Sequence, residues 1–151
     1  MSGKLVLYHA NPRENGAAMM MELEPATDQR EGAIYLTLAP QKNKTQFDWT
    51  DGKLKVRLGF YELTKFMQVF RGECESIEGG IIYHRSPSRE TTIRLDHRIA
   101  PDCHYALEIA VHPKTAGEDR RVVFLMNSAE ALGICEAIAS SMGKIAFGRE
   151  A

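Results

Sequence analysis

The chain has 151 residues, of which 44% are hydrophobic and 26% charged, the proportions of one globular domain and not of a disordered or fibrous polymer. A domain of this length buries roughly 68–70% of its unfolded surface, so a core can form without disulfide or metal staples. The net charge of −1 does not by itself point to a polyanion partner. No apolar run approaches the ~18–20 residues that span a bilayer, so no membrane partner is expected.

The first half reads as four half-buried strands. Residues 4–9 are apolar with some alternation and end at the turn-forming stretch 11–16. Over 18–24, Met19, Met21 and Leu23 share one face. Over 33–39, Ile34, Leu36 and Leu38 alternate with Tyr35 and Thr37, and Pro40 stops the strand. After the Asp51-Gly52 turn, Lys53, Lys55 and Arg57 alternate with Leu54, Val56 and Leu58. The period then changes: Phe60, Leu63, Phe66, Met67 and Phe70 recur at spacings of three and four, which predicts a helix over 60–71 with these residues as its core stripe. Gly59 is its N-cap, Glu62 its third residue, and Gly72 its stop.

The second half repeats the plan, with strands expected over 80–85, 91–98, 104–112 and 121–126. A helix capped by Ser128 follows to about residue 142, carrying Leu132, Cys135, Ile138 and Met142 on a stripe and ending at Gly143. The pattern is ββββα twice over, in units of about 4–72 and 80–143. It predicts a single α+β domain, 1–151, in which the two units share a core.

The chemistry is concentrated in the middle of the chain. Residues 42–98 hold 11 basic and 8 acidic side chains, whereas both flanks are net acidic. Lys53, Lys55 and Arg57 project from one strand face at a spacing of ~6.6–6.8 Å, near the phosphate spacing of an extended single strand. Phe47 and Trp49 precede them, and Tyr35 and Tyr83 are expected to point outward. Aromatic platforms beside a cationic track suit single-stranded nucleic acid, because every base has a stackable face. Arg85, Arg89, Arg94 and Arg98 are expected to extend the track on the second sheet, Arg85 and Arg94 as weaker additions to the site. The plain alternative is a solvated strand face with Phe47 and Trp49 in the core; a protein-interaction module would look the same.

Metal and catalytic sites are not expected. His97, Cys103, His104 and His112 lie close in sequence but lack zinc-ligand spacing. His104 and His112 would sit ~27 Å apart on one strand. Cys103 and His104 are adjacent and so point to opposite faces, Cys135 falls on an apolar helix stripe, and Gly79-Gly80 leads into a strand, not a phosphate-binding helix. Glu22 and Glu24 are the solvent side of a strand. No cofactor and no enzyme activity are expected. The odd set of Cys74, Cys103 and Cys135, and an N-terminus without secretory-signal character, fit a reducing, cytoplasmic setting.

The order of elements resembles the Whirly family of single-stranded-DNA-binding proteins and the wider PC4-like fold. Ala17-Ala18-Met19 leading to Leu23-Glu24-Pro25, the segment from Glu31-Gly32 to Ala39-Pro40, and Gln46-Phe47-Asp48-Trp49 are similar to successive family motifs, as is the spacing of residues 128–147. The resemblance covers about residues 4–148. It implies two four-stranded antiparallel sheets packed roughly perpendicular, each followed by a helix, and a homotetramer whose core comes largely from the second helix. It also implies binding of single-stranded DNA (RNA being possible) with limited sequence preference, in transcription regulation or DNA maintenance. One departure is Glu14-Asn15-Gly16 where the plant proteins carry Lys-Gly-Lys; with no transit segment expected, the chain resembles a bare domain of prokaryotic or phage type.

Overall fold

A computed structural model describes residues 3–98 and 105–148. Strands β1 (Lys4–His9), β2 (Ala17–Glu24), β3 (Ala33–Pro40) and β4 (Leu54–Leu58) precede helix α1 (Phe60–Phe70). Strands β5 (Ile82–Arg85), β6 (Arg89–His97), β7 (Tyr105–Pro113) and β8 (Arg120–Met126) precede helix α2 (Ser128–Phe147). Each set of four forms an antiparallel meander with its strands in sequence order. No helix among the described residues is long and apolar enough to cross a membrane.

The alternation of side chains explains how the sheets meet. Each buries its apolar face against the other, with β2 and β3 touching β8 and β4 touching β7. Leu36, Leu38, Leu54 and Leu58 from the first sheet and Ile93, Leu107 and Phe124 from the second are all buried in one cluster. The helices close the ends, α1 against β6 and α2 against β2, and also touch one another.

Two reciprocal histidine–glutamate contacts interlock the halves. His9 of β1 places Nε2 2.5 Å from Glu130 of α2, its ring stacked on Phe124 at 4.7 Å. His84 of β5 places Nε2 2.7 Å from Glu62 of α1. Each glutamate is the third residue of its helix, and its other oxygen accepts the backbone N–H of the cap, from Gly59 at 3.2 Å and from Asn127 at 3.1 Å. Burial works against the charge on Glu62, but the bonds from His84 and the Gly59 N–H, with the nearby cations, outweigh it and lower its pKa.

The helix boundaries and stripes require four corrections. Asn127, not Ser128, is the N-cap of α2: its side chain accepts the Glu130 N–H. The helix also runs through Gly143 to Phe147, because Ile145 is buried and holds the last turn in place; Gly148, at φ +94°, ends it. Phe60 belongs to no core stripe and is 48% exposed: the buried face of α1 is set by Leu63, Phe66 and Val69, and Phe60 points away from it. Leu132 is 64% exposed because the buried stripe of α2 is Ala131, Ile134, Cys135 and Ile138, and Leu132, two residues before Ile134, points to the opposite side of the helix.

Candidate nucleic-acid interface

The outer face of the first sheet carries the basic strand. Lys53, one residue before β4, and Lys55 are both exposed. In the β3–β4 register Thr37 opposes Lys55 and Tyr35 opposes Arg57, so Lys55 reaches Tyr35 diagonally and sets Nζ 4.8 Å from its ring centroid. The two lysines face solvent, open to a phosphate.

Arg57 is placed differently. Its Nη2 donates to Glu24 at 3.1 Å and also to the carbonyl of Glu31. Arg30 approaches the same carboxylate at 3.8 Å. Burial opposes the charge on Glu24, but the bond from Arg57, the Arg30 charge and the Tyr35 hydroxyl together lower its pKa. Arg57 therefore ties β4 to β2 and to the β2–β3 connection on the outer face, and its charge is already partnered.

The aromatic residues gather at one corner of this face. Tyr8, Ala18 and Ala39 stand opposite one another across β1, β2 and β3. The two alanines leave space above the sheet, and Phe47 enters it to meet Tyr8 at a centroid distance of 5.6 Å. The loop that carries Phe47 and Trp49 is pinned by the Asp48 N–H to Pro40 and by Asp48 Oδ1, which accepts the N–H groups of Thr50 (3.2 Å) and Asp51 (3.1 Å). A backbone bond from Gly52, together with these, lowers the pKa of Asp48 against a smaller cost of burial. Tyr8, Phe47, Trp49, Lys42 and Gln46 line an open hollow of about 380 Å³. Phe47 and Trp49 are half-buried there and Tyr8 is exposed. Tyr8 was missing from the sequence-based site; its signal was its place on the Lys4, Val6, Tyr8 face, opposite an alanine.

Tyr83, Arg85 and Arg94 lie on the other sheet. The sheets pack by their inner faces, so the outer face of β5–β8 points away from that of β1–β4, and these three residues do not join Lys55 on one surface. Arg85 stacks over Tyr83 at 4.9 Å and pairs with Glu90 at 3.1 Å. Arg94 and Arg121 flank the half-buried Glu108 at 3.8 and 2.8 Å, beside a hollow of about 410 Å³ floored by Ala106 and Ala110. Much of the positive charge on this sheet is compensated within the protein. Arg89 and Arg98 are exposed.

Among the described residues no three His, Cys, Asp or Glu side chains are grouped to hold a metal ion. His97 stacks on Tyr105 at 4.7 Å and His112 pairs with Asp119 at 3.2 Å; Cys103 and His104 lie outside the described residues.

No protein-family model and no curated protein matches the sequence. Solved structures do. WHY1 from Arabidopsis thaliana superposes with a TM-score of 0.80 at 15% identity, covering 97% of this chain and 86% of that one. The plant transcriptional regulator PBF-2 gives 0.75 at 17%, covering 96% and 82%. The fold is Whirly-like. A guide-RNA-binding protein complex bound to a gRNA is more distant, at 0.58 and 14% identity over 99% and 96% of the two chains. The Whirly-like order of two antiparallel four-stranded sheets, each followed by a helix, is the one read from the sequence.

Proposed function

We propose that this Whirly-like protein is a non-catalytic single-stranded nucleic-acid-binding protein, with DNA the favoured ligand. The observation that carries the reading is the outer face of the first sheet, where Lys53 and Lys55 are exposed, Lys55 lies over Tyr35, and Tyr8, Phe47 and Trp49 line a hollow with Lys42. Lysines neutralise phosphates while the rings accept bases without selecting among them. The fold shared with a plant transcriptional regulator and with a gRNA-bound protein supports the same reading and suggests a role in transcription regulation or DNA maintenance.

We also propose a homotetramer assembled through α2. Leu132, Gly133, Glu136, Ser140, Gly143 and Phe147 are exposed along that helix at spacings that form one face, and small residues there allow close helix approach. Light scattering on the purified protein reads this directly: a tetramer's mass supports it and 16.9 kDa refutes it. A cytoplasmic location is proposed on the free thiols of Cys74 and Cys135, and fractionation checks it.

The site is tested by the double substitution Lys53→Ala/Lys55→Ala. Each phosphate contact on a single strand contributes about 0.7 to the slope of log affinity against log salt. The variant is expected to bind oligo-dT more weakly, with a slope reduced by about 1.4, and to keep its melting temperature because both side chains are exposed. An unchanged slope would place the phosphates elsewhere.

A further inference from the structure

Four strands edge the two sheets: β1, β4, β5 and β8. An edge strand offers unpaired N–H and C=O groups to another chain unless charge, brevity or a covering element blunts it. β4 carries Lys55 and Arg57, β5 has only four residues with His84 and Arg85 among them, and β8 opens with Arg120 and Arg121 and packs against β2 and β3. β1 has none of these protections in its middle. It runs Leu5-Val6-Leu7 between Lys4 and Tyr8 and pairs with β2 alone. Among the described residues, no backbone hydrogen bond outside that ladder reaches residues 4–9.

The strand is complementary to itself. With two copies antiparallel about Val6, Lys4 opposes Tyr8 of the second copy, Leu5 opposes its Leu7, and Val6 opposes Val6. Opposed residues share a face, so the outer residues Lys4, Val6 and Tyr8 meet one another, and so do the core-side Leu5 and Leu7. Tyr8 is 61% exposed and open to a lysine ammonium over its ring. Leu5 and Leu7 pack against the core but are only half-buried. On the core side an open hollow of about 350 Å³ lies beside Leu5, walled by Met21 and Leu23 and by Ala137 and Ile138 of α2. The second copy's Leu7 stands at its mouth in this register.

We infer that the β1 edge is an interface with a second copy of this chain, paired antiparallel about a two-fold axis at Val6 to make one eight-stranded sheet. A second copy suits the edge because a single register pairs apolar with apolar on the core side and cation with ring on the outer side, and closes on itself. Together with the α2 contact it gives the two isologous interfaces from which a closed dihedral tetramer is built. An axis perpendicular to the sheet keeps both outer faces on one side. The Tyr8–Phe47 corners of the two copies then share one surface, and seven strand spacings, ~34 Å, separate their β4 strands. What this surface does for a bound strand rests on the nucleic-acid-binding reading; the pairing does not, and it is tested without nucleic acid.

Sedimentation equilibrium compares the wild type, Val6→Lys, Val6→Glu and an equimolar mixture of the two variants. Like charges directly opposed destabilise a strand pair, and opposite charges restore it. Each variant alone is expected at half the wild-type mass and the mixture at the full mass. Val6 is half-buried on the outer face, so both variants are expected to fold, which circular dichroism checks. The wild-type mass in either variant, a mixture that stays at half, or a monomeric wild type would overturn the pairing. A second measurement needs no variant: amide exchange of the wild type, read residue by residue over 5–8. An open edge protects alternate N–H groups, those aimed at β2, whereas a paired strand protects them all. Protection throughout is expected, and alternating protection would overturn the pairing whatever the variants do.

Discussion

Gly16→Ala is expected to destabilise the protein by about 4 kcal/mol or more, the range reached only when backbone or core must move. A Cβ at Gly16 would lie 1.9 Å from the carbonyl oxygen of His9 and 2.9 Å from Gln41 Oε1. The first contact is with backbone, so no side-chain rotation relieves it. The β1–β2 connection would have to open, and with it the buried Gln41 amide. That amide accepts the N–H groups of Asn11 (3.0 Å) and Gly16 (2.9 Å) and donates to the carbonyls of Asn11 and Asn43. Melting by circular dichroism should show a fall of roughly 10–15 °C for a domain of this size. A fall under a few degrees would mean that the turn relaxes freely and that Gln41 does not organise it.

Phe124→Ala is the second large effect, about 3–5 kcal/mol for a buried aromatic whose cavity cannot fully collapse. Phe124 is fully buried, opposes Leu107 across β7 and β8, and supports the His9 ring. Its loss removes packing from the junction of the two sheets and loosens the His9–Glu130 contact between β1 and α2. Urea denaturation should show the midpoint shifted down with a single transition retained. A loss below about 1 kcal/mol would show that the halves are held together without this contact.

The strands were legible because half-buried antiparallel strands alternate, as Lys53 to Leu58 and Ile34 to Leu38 do. Alternation fixes which face a residue takes but not which partner it meets. Arg57 shares its face with Lys55, yet Glu24, 33 residues earlier, captures it, and nothing local announces that. Tyr83 does point outward as the alternation predicts, and Arg85 and Arg94 do lie on the second sheet, but the outer face of that sheet points away from the first. Which strands pair is a long-range property that a period of two does not contain. Helical stripes failed in phase: Phe60 and Leu132 keep a spacing of three or four, but the buried faces run through Leu63, Phe66 and Val69 in α1 and through Ala131, Ile134, Cys135 and Ile138 in α2. Gly143 read as a stop because glycine is the usual one, whereas burial of Ile145 carries the helix on.

The central claim is tested most directly by a fluorescence-anisotropy titration of the wild-type protein with labelled oligo-dT of ~30 nucleotides and with the matching duplex, at two salt concentrations. The predicted result is tight binding to the single strand that weakens as salt rises, with little binding to the duplex. Absence of binding to the single strand at low salt would contradict the account and direct the search to a protein partner for the same surface.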